Sequence, residues 1–488
     1  MSATLNPLLW REQLYINGEW RAAASGARFA VGNPSTGETI AQVADAAASD
    51  AVAAVEAAAA ALPAWQALTA KKRSQLLRSW FDLVMKYQDD LARILTMEQG
   101  KPLKEAAGEI AYGASYIEWF AEEAKRIYGD VIAPPAADKR IVTLKQGVGV
   151  VTAITPWNFP NAMLARKIAP ALAAGCTLVD KPAAQTPLSA LALAALAEEA
   201  GIPAGVVNIV PGLDAATIGE VLTTHPVVRK VTFTGSTAVG KKLIAQTADG
   251  VKRVTMELGG NAPFIVFDDA DLDAAVDGAI VSKFRNAGQT CVCANRFYVH
   301  ADVYDAFAKK LQAATEALKV GDGQQPDINV GPLINEAAVE KVENLVADAV
   351  ARGAKVVTGG QRRSPRSLFY LPTLLVDVPA DARLASEEIF GPVAALIRFT
   401  HEAEVAEWAN ASEFGLAAYL YSQNQARIWR FSERLESGMV AINDGALSNE
   451  MAPFGGIKQS GMGREGSHYG INDYLNIKYL AIGGIHGG

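Results

Sequence analysis

Apolar positions recur at helical spacing through residues 46–127, at Val52, Val55, Leu76, Leu77, Trp80 and Leu83 among others, so this stretch reads as packed helices. The alanine run at 57–61 fits the same pattern because alanine is the strongest helix former, and Ser49 is placed to cap the start. A short β-like phrase, LYINGEW, precedes the helices. Residues 128–147 break the pattern with two prolines and then alternate apolar and polar positions, as an exposed β-arm does. From 148 to 270 short β-branched runs alternate with helical ones: VGVVTAIT, NAMLARKIAPALAA, CTLVDK, LSALALAALAEEA, GVVNIVPG and KVTFTGS. That alternation predicts a parallel sheet with crossover helices. Such sheets bind ligands at the carboxyl ends of their strands, and Asn158, Lys181 and Gly235 each follow a predicted strand. Residues 271–445 mix strands and helices again and predict a second α/β domain. No internal repeat is present.

Composition narrows the class. A chain of 488 residues with 50% hydrophobic content is long enough for two or three domains, each with its own core. The formal charge of -7, without a basic run, argues against nucleic acid or an anionic membrane as a partner. Three cysteines cannot form a disulfide framework, and no apolar run approaches the roughly 18 residues of a membrane span. The opening, MSATLNPLLWREQLYINGEW, lacks the basic start and long apolar run of a secretory signal, so the expected location is the cytoplasm. The histidines at 225, 300, 401, 468 and 486 show no ligand spacing, and no metal is expected.

The phrase FRNAGQTCVCANR, residues 284–296, carries the sharpest chemistry. Gly288 allows a turn or a close approach, and the phrase predicts Cys291 on a loop leading into a helix. A helix N-terminus or a nearby cation lowers a thiol pKa from about 8.5. Cys291 is therefore a candidate nucleophile, whereas Cys293 reads as a small core residue.

Three further phrases accompany it: PWNFP at 156–160, TMELGG at 255–260 and EEIFGP at 387–392. Together with GQTCVC they resemble the aldehyde dehydrogenase superfamily from about Tyr15 to the C-terminus, and most of all its succinate-semialdehyde branch. The resemblance implies an α/β fold with a Rossmann-type cofactor domain (1–127 and 148–258), an α/β catalytic domain (259–460) and a small β oligomerisation arm (128–147 and 472–488). It implies that the arm joins subunits, with the strand-like piece 474–482 pairing with it, in a homodimer or homotetramer. It makes Cys291 the nucleophile and Glu257 the general base that activates water. Asn158, held between two prolines, pairs with the Cys291 backbone N–H as an oxyanion hole. Hydride leaves the thiohemiacetal for the nicotinamide, and the remaining thioester is hydrolysed. Because CoA-dependent relatives tend to lack the glutamate, Glu257 argues for hydrolysis over acyl transfer.

Cofactor and substrate follow from the same likeness. GSTAVG, Gly235 to Gly240, follows a predicted strand and precedes a helix, which suits phosphate at a helix N-terminus. Gly235, Ser236, Gly240, Trp157 and Lys181 are implied contacts of the dinucleotide, with Glu388 on the nicotinamide ribose and Phe390 beside it. Many NAD-preferring relatives carry a glutamate three residues after the lysine. Here Ala184 stands there, which leaves Lys181 to face a 2′-phosphate, so NADP is expected to be preferred and NAD accepted. Asp180 departs from the apolar residue common in relatives, and strand alternation should turn it away from Lys181. Arg285, Arg166 and Ser448 match the residues that meet the substrate's carboxylate in the semialdehyde branch, although Arg166 has the alternative of pairing with a glutamate. Glutarate semialdehyde, one methylene longer, and a broad aldehyde range remain alternatives. Cys291 and Cys293 invite a strained, reducible disulfide under oxidants. A P-loop NTPase is disfavoured because Lys242 stands where GxxxxGK needs a hydroxyl residue, and an inert scaffold because Cys291 and Glu257 are both present.

Overall fold

A computed structural model describes residues 5–485; residues 1–4 and 486–488, with them His486 and the outer ends of the expected first domain and arm, lie outside the described residues. The opening phrase forms a tight hairpin, Leu14–Ile16 paired with Glu19–Arg21, turned by Asn17 and Gly18 at φ of 55° and 76°. This left-handed Asn-Gly pair matches the twist of the flanking strands.

Four helices follow: Ala48–Ala67, Ala70–Lys86, Gln88–Gln99 and Leu103–Glu123. The first does not use Ser49 as its cap. The Asp50 carboxylate accepts the Ala47 N–H at 3.0 Å and the Ala24 N–H at 3.1 Å, tying the helix start to the preceding loop. Among the described residues no single helix is long and apolar enough to cross a membrane.

Five strands, Val150–Ile154, Thr177–Lys181, Val207–Ile209, Val228–Thr234 and Arg253–Glu257, form the parallel centre of an eight-stranded sheet. Their spatial order is third, second, first, fourth, fifth, so the order reverses between the first and fourth strands. A crevice opens outside the carboxyl ends at such a reversal. The helices Pro160–Ala173 and Pro187–Glu199 cross between strands, each with proline in its first turn, where the missing N–H costs nothing.

The chain leaves this sheet after Glu257 and enters a seven-stranded sheet at Ala262–Val266. Only the edge strand Lys355–Thr358 is antiparallel there. The four residues between the sheets include Gly259 and Gly260, and the Cys291 loop packs on them: a Cβ on Gly260 would stand 2.4 Å from the Cys291 carbonyl oxygen. The arm is a three-stranded sheet in which Leu475–Ile482 pairs along its whole length with Arg140–Gly147 of the same chain.

Candidate active site

The nucleophile loop differs from its expected form. The helix Leu272–Phe284 ends just before it, a short 3₁₀ turn covers Arg285–Gly288, and the chain then enters the strand Ala294–His300, so no helix begins at Cys291. The turn is left-handed at three successive residues, with φ of 51° at Asn286, 54° at Ala287 and 75° at Gly288. Such backbone costs on the order of 1–3 kcal/mol per non-glycine residue unless its surroundings hold it. Here they do. The Asn286 N–H donates to the Glu105 carboxylate at 2.8 Å, and its side chain receives Gln99 Nε2 at 2.9 Å and donates to the Asn158 carbonyl at 3.0 Å. Gln289 accepts the Ile334 N–H at 2.9 Å and donates to the carbonyls of Asn286 and Pro332. Gly288 has no alternative, because a Cβ there would lie 2.2 Å from the Gly391 carbonyl oxygen in the FGP phrase.

Cys291 is partly buried and lines two cavities. Burial pushes its thiol up to about 12; the Glu257 and Glu388 carboxylates add to that and Arg166 and Arg285 oppose it. The expected lowering is absent because there is no helix terminus to supply it. Cys293 is buried and turned elsewhere, its Sγ donating to the Lys283 carbonyl at 3.4 Å, and all three cysteines are free thiols.

Asn158 lies in the bend between the strand Val150–Ile154 and the helix Pro160–Ala173. Its side-chain amide donates to the Gln289 carbonyl at 3.0 Å, which fixes the Nδ2 beside Cys291 and leaves one of its two hydrogens for another acceptor. Lys101 Nζ, buried over the Phe159 ring at 3.8 Å from its centre, donates to the Asn158 carbonyl at 2.8 Å and pairs with Glu109 at 2.5 Å. Glu109 in turn accepts the N–H groups of Asn161 and Ala162, at the start of the helix that carries Arg166. Lys101 and Glu109 went unnoticed in the sequence, since nothing local separates a buried charge from a solvated one.

Glu257 closes the last strand of the first sheet. Its carboxyl oxygens are buried without a hydrogen-bond partner among the described residues. Burial raises its pKa well above the carboxylate range, Glu465 adds to this, and Arg166, Lys167 and Arg464 work against it. Its protonated form is therefore favoured relative to an ordinary carboxylate, and it accepts a proton only once ionised.

Arg285 and Arg166 are differently placed. Arg166 takes the alternative pairing: its guanidinium meets Glu465 at 2.7 Å, is fully buried, and stacks 3.9 Å from the centre of Phe454. Glu465 also pairs with Lys167 at 2.5 Å, so one carboxylate serves two consecutive cations. Burial works against the Glu465 charge, but Lys167 and Arg166 hold its pKa below the ordinary value. Arg285 forms no ion pair among the described residues and lies over Phe159, 5.2 Å from the ring centre. Both arginines, Ser448 and Cys291 line one cavity of about 270 Å³.

A second cavity, of about 280 Å³, reaches Cys291 from the other side between Trp157, Asn158, Gly235, Ser236, Glu388 and Phe390. Phe390 holds φ of 55° and packs edge-on against Trp157, 5.6 Å between centres. Glu388 accepts the Gly260 N–H at 2.9 Å. Ser236 caps the helix Thr237–Ala248, whose start faces this space. A Cβ on Gly240 would stand 2.5 Å from Leu258 and one on Gly235 2.4 Å from Phe233, so bare backbone forms the floor. A dinucleotide fits this cradle: free N–H groups at a helix start for phosphate, and an aromatic wall with a carboxylate near the thiol. Lys241 is not part of it, since its Nζ reaches Gln459 at 2.7 Å on the surface.

Lys181 is buried at its strand end, with Nζ donating to the Pro182 carbonyl at 3.3 Å. Burial lowers its pKa, and the Asp180, Asp45 and Asp214 carboxylates oppose that. Asp180 is bound by the Thr155 hydroxyl at 3.2 Å, and burial raises its pKa to about 7. Ala184 lies apart from the nicotinamide cavity, in a third cavity of about 510 Å³ shared with Gln185, Leu213 and Glu98.

A cysteine between a glycine-floored cradle at a parallel-sheet switch point and a separate cation-lined cavity defines a thiol-dependent oxidoreductase of two α/β sheets. The chain belongs to the aldehyde dehydrogenase family, which it matches over residues 20–480. It is 60% identical to a glutarate-semialdehyde dehydrogenase of Pseudomonas aeruginosa over 98% of this chain and 99% of that one. It is also 60% identical to an NADP(+) succinate-semialdehyde dehydrogenase of Escherichia coli, over 97% and 98%. The crystal structure of a succinate-semialdehyde dehydrogenase from Burkholderia pseudomallei superimposes with a TM-score of 0.97 at 60% identity, covering 98% and 99%.

Proposed function

We propose that the protein oxidises succinate semialdehyde to succinate, with NADP preferred and NAD accepted. The observation that carries this reading is Arg285, a cation without an ion-pair partner among the described residues, in the same cavity as Cys291. A charge-assisted hydrogen bond contributes about 1.5–3 kcal/mol, enough to favour an aldehyde with a carboxylate over a plain one by roughly tenfold to a hundredfold. Ser448 lies near enough to add a neutral donor. Arg166 serves as a second positive wall whose charge is already shared with Glu465. Relatives named for succinate and glutarate semialdehydes support the class. Glutarate semialdehyde is the second reading, since one methylene is worth only about 1–3 kcal/mol in such a pocket.

The chemistry is carried by three residues. Cys291 releases its thiol proton to solvent water and its sulfur adds to the aldehyde carbon, while the Asn158 amide and the Cys291 N–H hold the oxygen. When bound, the dinucleotide supplies the hydride acceptor, held by Gly235, Ser236, Gly240, Glu388, Trp157 and Phe390. Glu257 then takes a proton from water, whose oxygen attacks the thioester and displaces the Cys291 sulfur. The balance is aldehyde, water and NADP⁺ to acid, NADPH and a proton. Ala184 in place of a carboxylate, with Lys181 near, and an NADP(+) relative support the cofactor preference.

We assign 1–127 and 148–258 to the cofactor domain, 259–460 to the catalytic domain, and 128–147 with 472–488 to an arm that joins a homodimer or homotetramer in the cytoplasm. Absorbance at 340 nm with succinate semialdehyde, glutarate semialdehyde and propanal tests the function. Strong preference for the acids is expected; equal kcat/KM with propanal would overturn the arginine pocket.

A further inference from the structure

The cavity that holds Cys291 has a neighbour. A second, outward-facing cavity of about 490 Å³ lies behind it, and Glu105 and Arg285 line both. Ile280, Phe284, Leu318 and Ile328 make the outer cavity apolar, and Lys104, exposed, stands at its edge. Glu105 is not a loose surface group. It sits in the first turn of the helix Leu103–Glu123, and its carboxylate is tied to the left-handed turn by the Asn286 N–H at 2.8 Å. Arg285 is steadied against Phe159.

We propose that Glu105 is a specificity-determining residue: with Arg285 it forms a partition between the two cavities and so limits the length of ω-oxo acid that is oxidised. This rests on the semialdehyde reading. A substrate whose carboxylate stops at Arg285 fits the inner cavity. Each added methylene drives the carboxylate toward Glu105, where it meets both bulk and a charge of its own sign. Shortening Glu105 joins the cavities, letting a longer chain lie along Ile280 and Leu318 with its carboxylate toward Lys104.

The test is a series of ω-oxo acids of four to seven carbons, with the uncharged aldehyde of matching length beside each. In the unmodified enzyme kcat/KM is expected to fall by about tenfold or more from five to seven carbons, each misplaced methylene being worth about 1–3 kcal/mol. Glu105→Ala should shrink that fall to about threefold or less, whereas Glu105→Gln, which keeps the bulk and the acceptor for Asn286, should keep most of it. Adding Ile280→Trp to Glu105→Ala refills the outer cavity and should restore the fall, while Ile280→Trp alone leaves four-carbon turnover unchanged. The same length profile in Glu105→Ala as in the parent would overturn the partition, as would no fall in the parent or equal widening by Gln. Loss of acid preference over the matching neutral aldehyde in the parent would instead overturn the semialdehyde reading.

Discussion

At the scale of single residues, burial pushes the catalytic thiol and carboxyl toward their neutral forms. Cys291, pushed up to about 12 by burial, is almost wholly a thiol at pH 7 in the free protein. Iodoacetamide should therefore alkylate it more slowly at pH 8 than it does an ordinary cysteine, whose pKa is about 8.5. Rapid alkylation at pH 7 without ligands would contradict this. Glu257 gives a second prediction with a sign. Its folded pKa lies well above the unfolded value of about 4.3, so the folded chain holds a proton that the unfolded chain releases. The stability from this group is complete below the unfolded pKa and is lost as pH rises through the folded one. Glu257→Gln removes that loss, so its Tm relative to the parent should climb as pH rises above about 4.3. The opposite sign holds for activity, because only the ionised carboxylate takes a proton from water. The parent's kcat should rise with pH, and Glu257→Gln should lose the rise along with about 10²–10⁴ of rate.

At the scale of elements, the Cys291 loop and the Asn158 bend are held by buried charges from the helical layer. Lys101 is shared between the Glu109 carboxylate and the Asn158 carbonyl, so Lys101→Met both frees the bend and strands Glu109. Removing one partner of a buried pair costs about 3–5 kcal/mol, whereas removing both is often close to neutral. Thermal unfolding should show Lys101→Met clearly destabilised and Lys101→Met/Glu109→Gln largely recovered, while kcat stays low in both because Asn158 is still unsupported. Recovery of kcat with stability would remove Lys101 from any positioning role. This support was not legible in the sequence. β-Branched runs marked the parallel strands, and glycine next to Cys291 marked a close approach. Lys101, Glu105, Glu109 and Glu465 resemble solvated charges, because burial depends on partners 52 to 299 residues away in the chain. For the same reason the turn at Asn286 and Ala287 was unreadable: the bonds that offset its strain come from Gln99, Glu105 and Asn158. The expected helix after Cys291 failed because GQTCVC carries no helix period of its own, and the following ANRFYVH is β-branched and aromatic enough to pair between two strands of the second sheet.

At the scale of the whole molecule, the arm carries apolar surface that this chain alone does not cover. Its three strands pair within the chain, yet Val131 is 80% exposed, Ile477 70% and Tyr479 60%. By the register, Ile477 and Tyr479 lie on one face of the arm, while Val131 lies on the other with Leu144 and Ile482, which are 41% and 45% exposed. An exposed apolar sheet with a free edge is ordinarily shielded by another chain, since soluble proteins rarely leave such patches open. We propose a second copy of this chain as the occupant. Replacing Val131 and Ile477 with lysine removes apolar area on the arm's two outer strands, one position on each face, without touching either large sheet. Light scattering should then show a smaller assembly than the parent, with the far-ultraviolet circular dichroism unchanged. Because the last residue before that strand, Tyr474, is buried against Lys230 and accepts the Val148 N–H through its carbonyl, the arm's base is anchored to the first sheet. Dissociation should therefore lower Tm through the lost interface, while the preference for acid aldehydes should persist because Cys291, Arg285 and Ser448 of the same chain meet in the inner cavity. A parent that already runs at monomer mass would show instead that the face is left open.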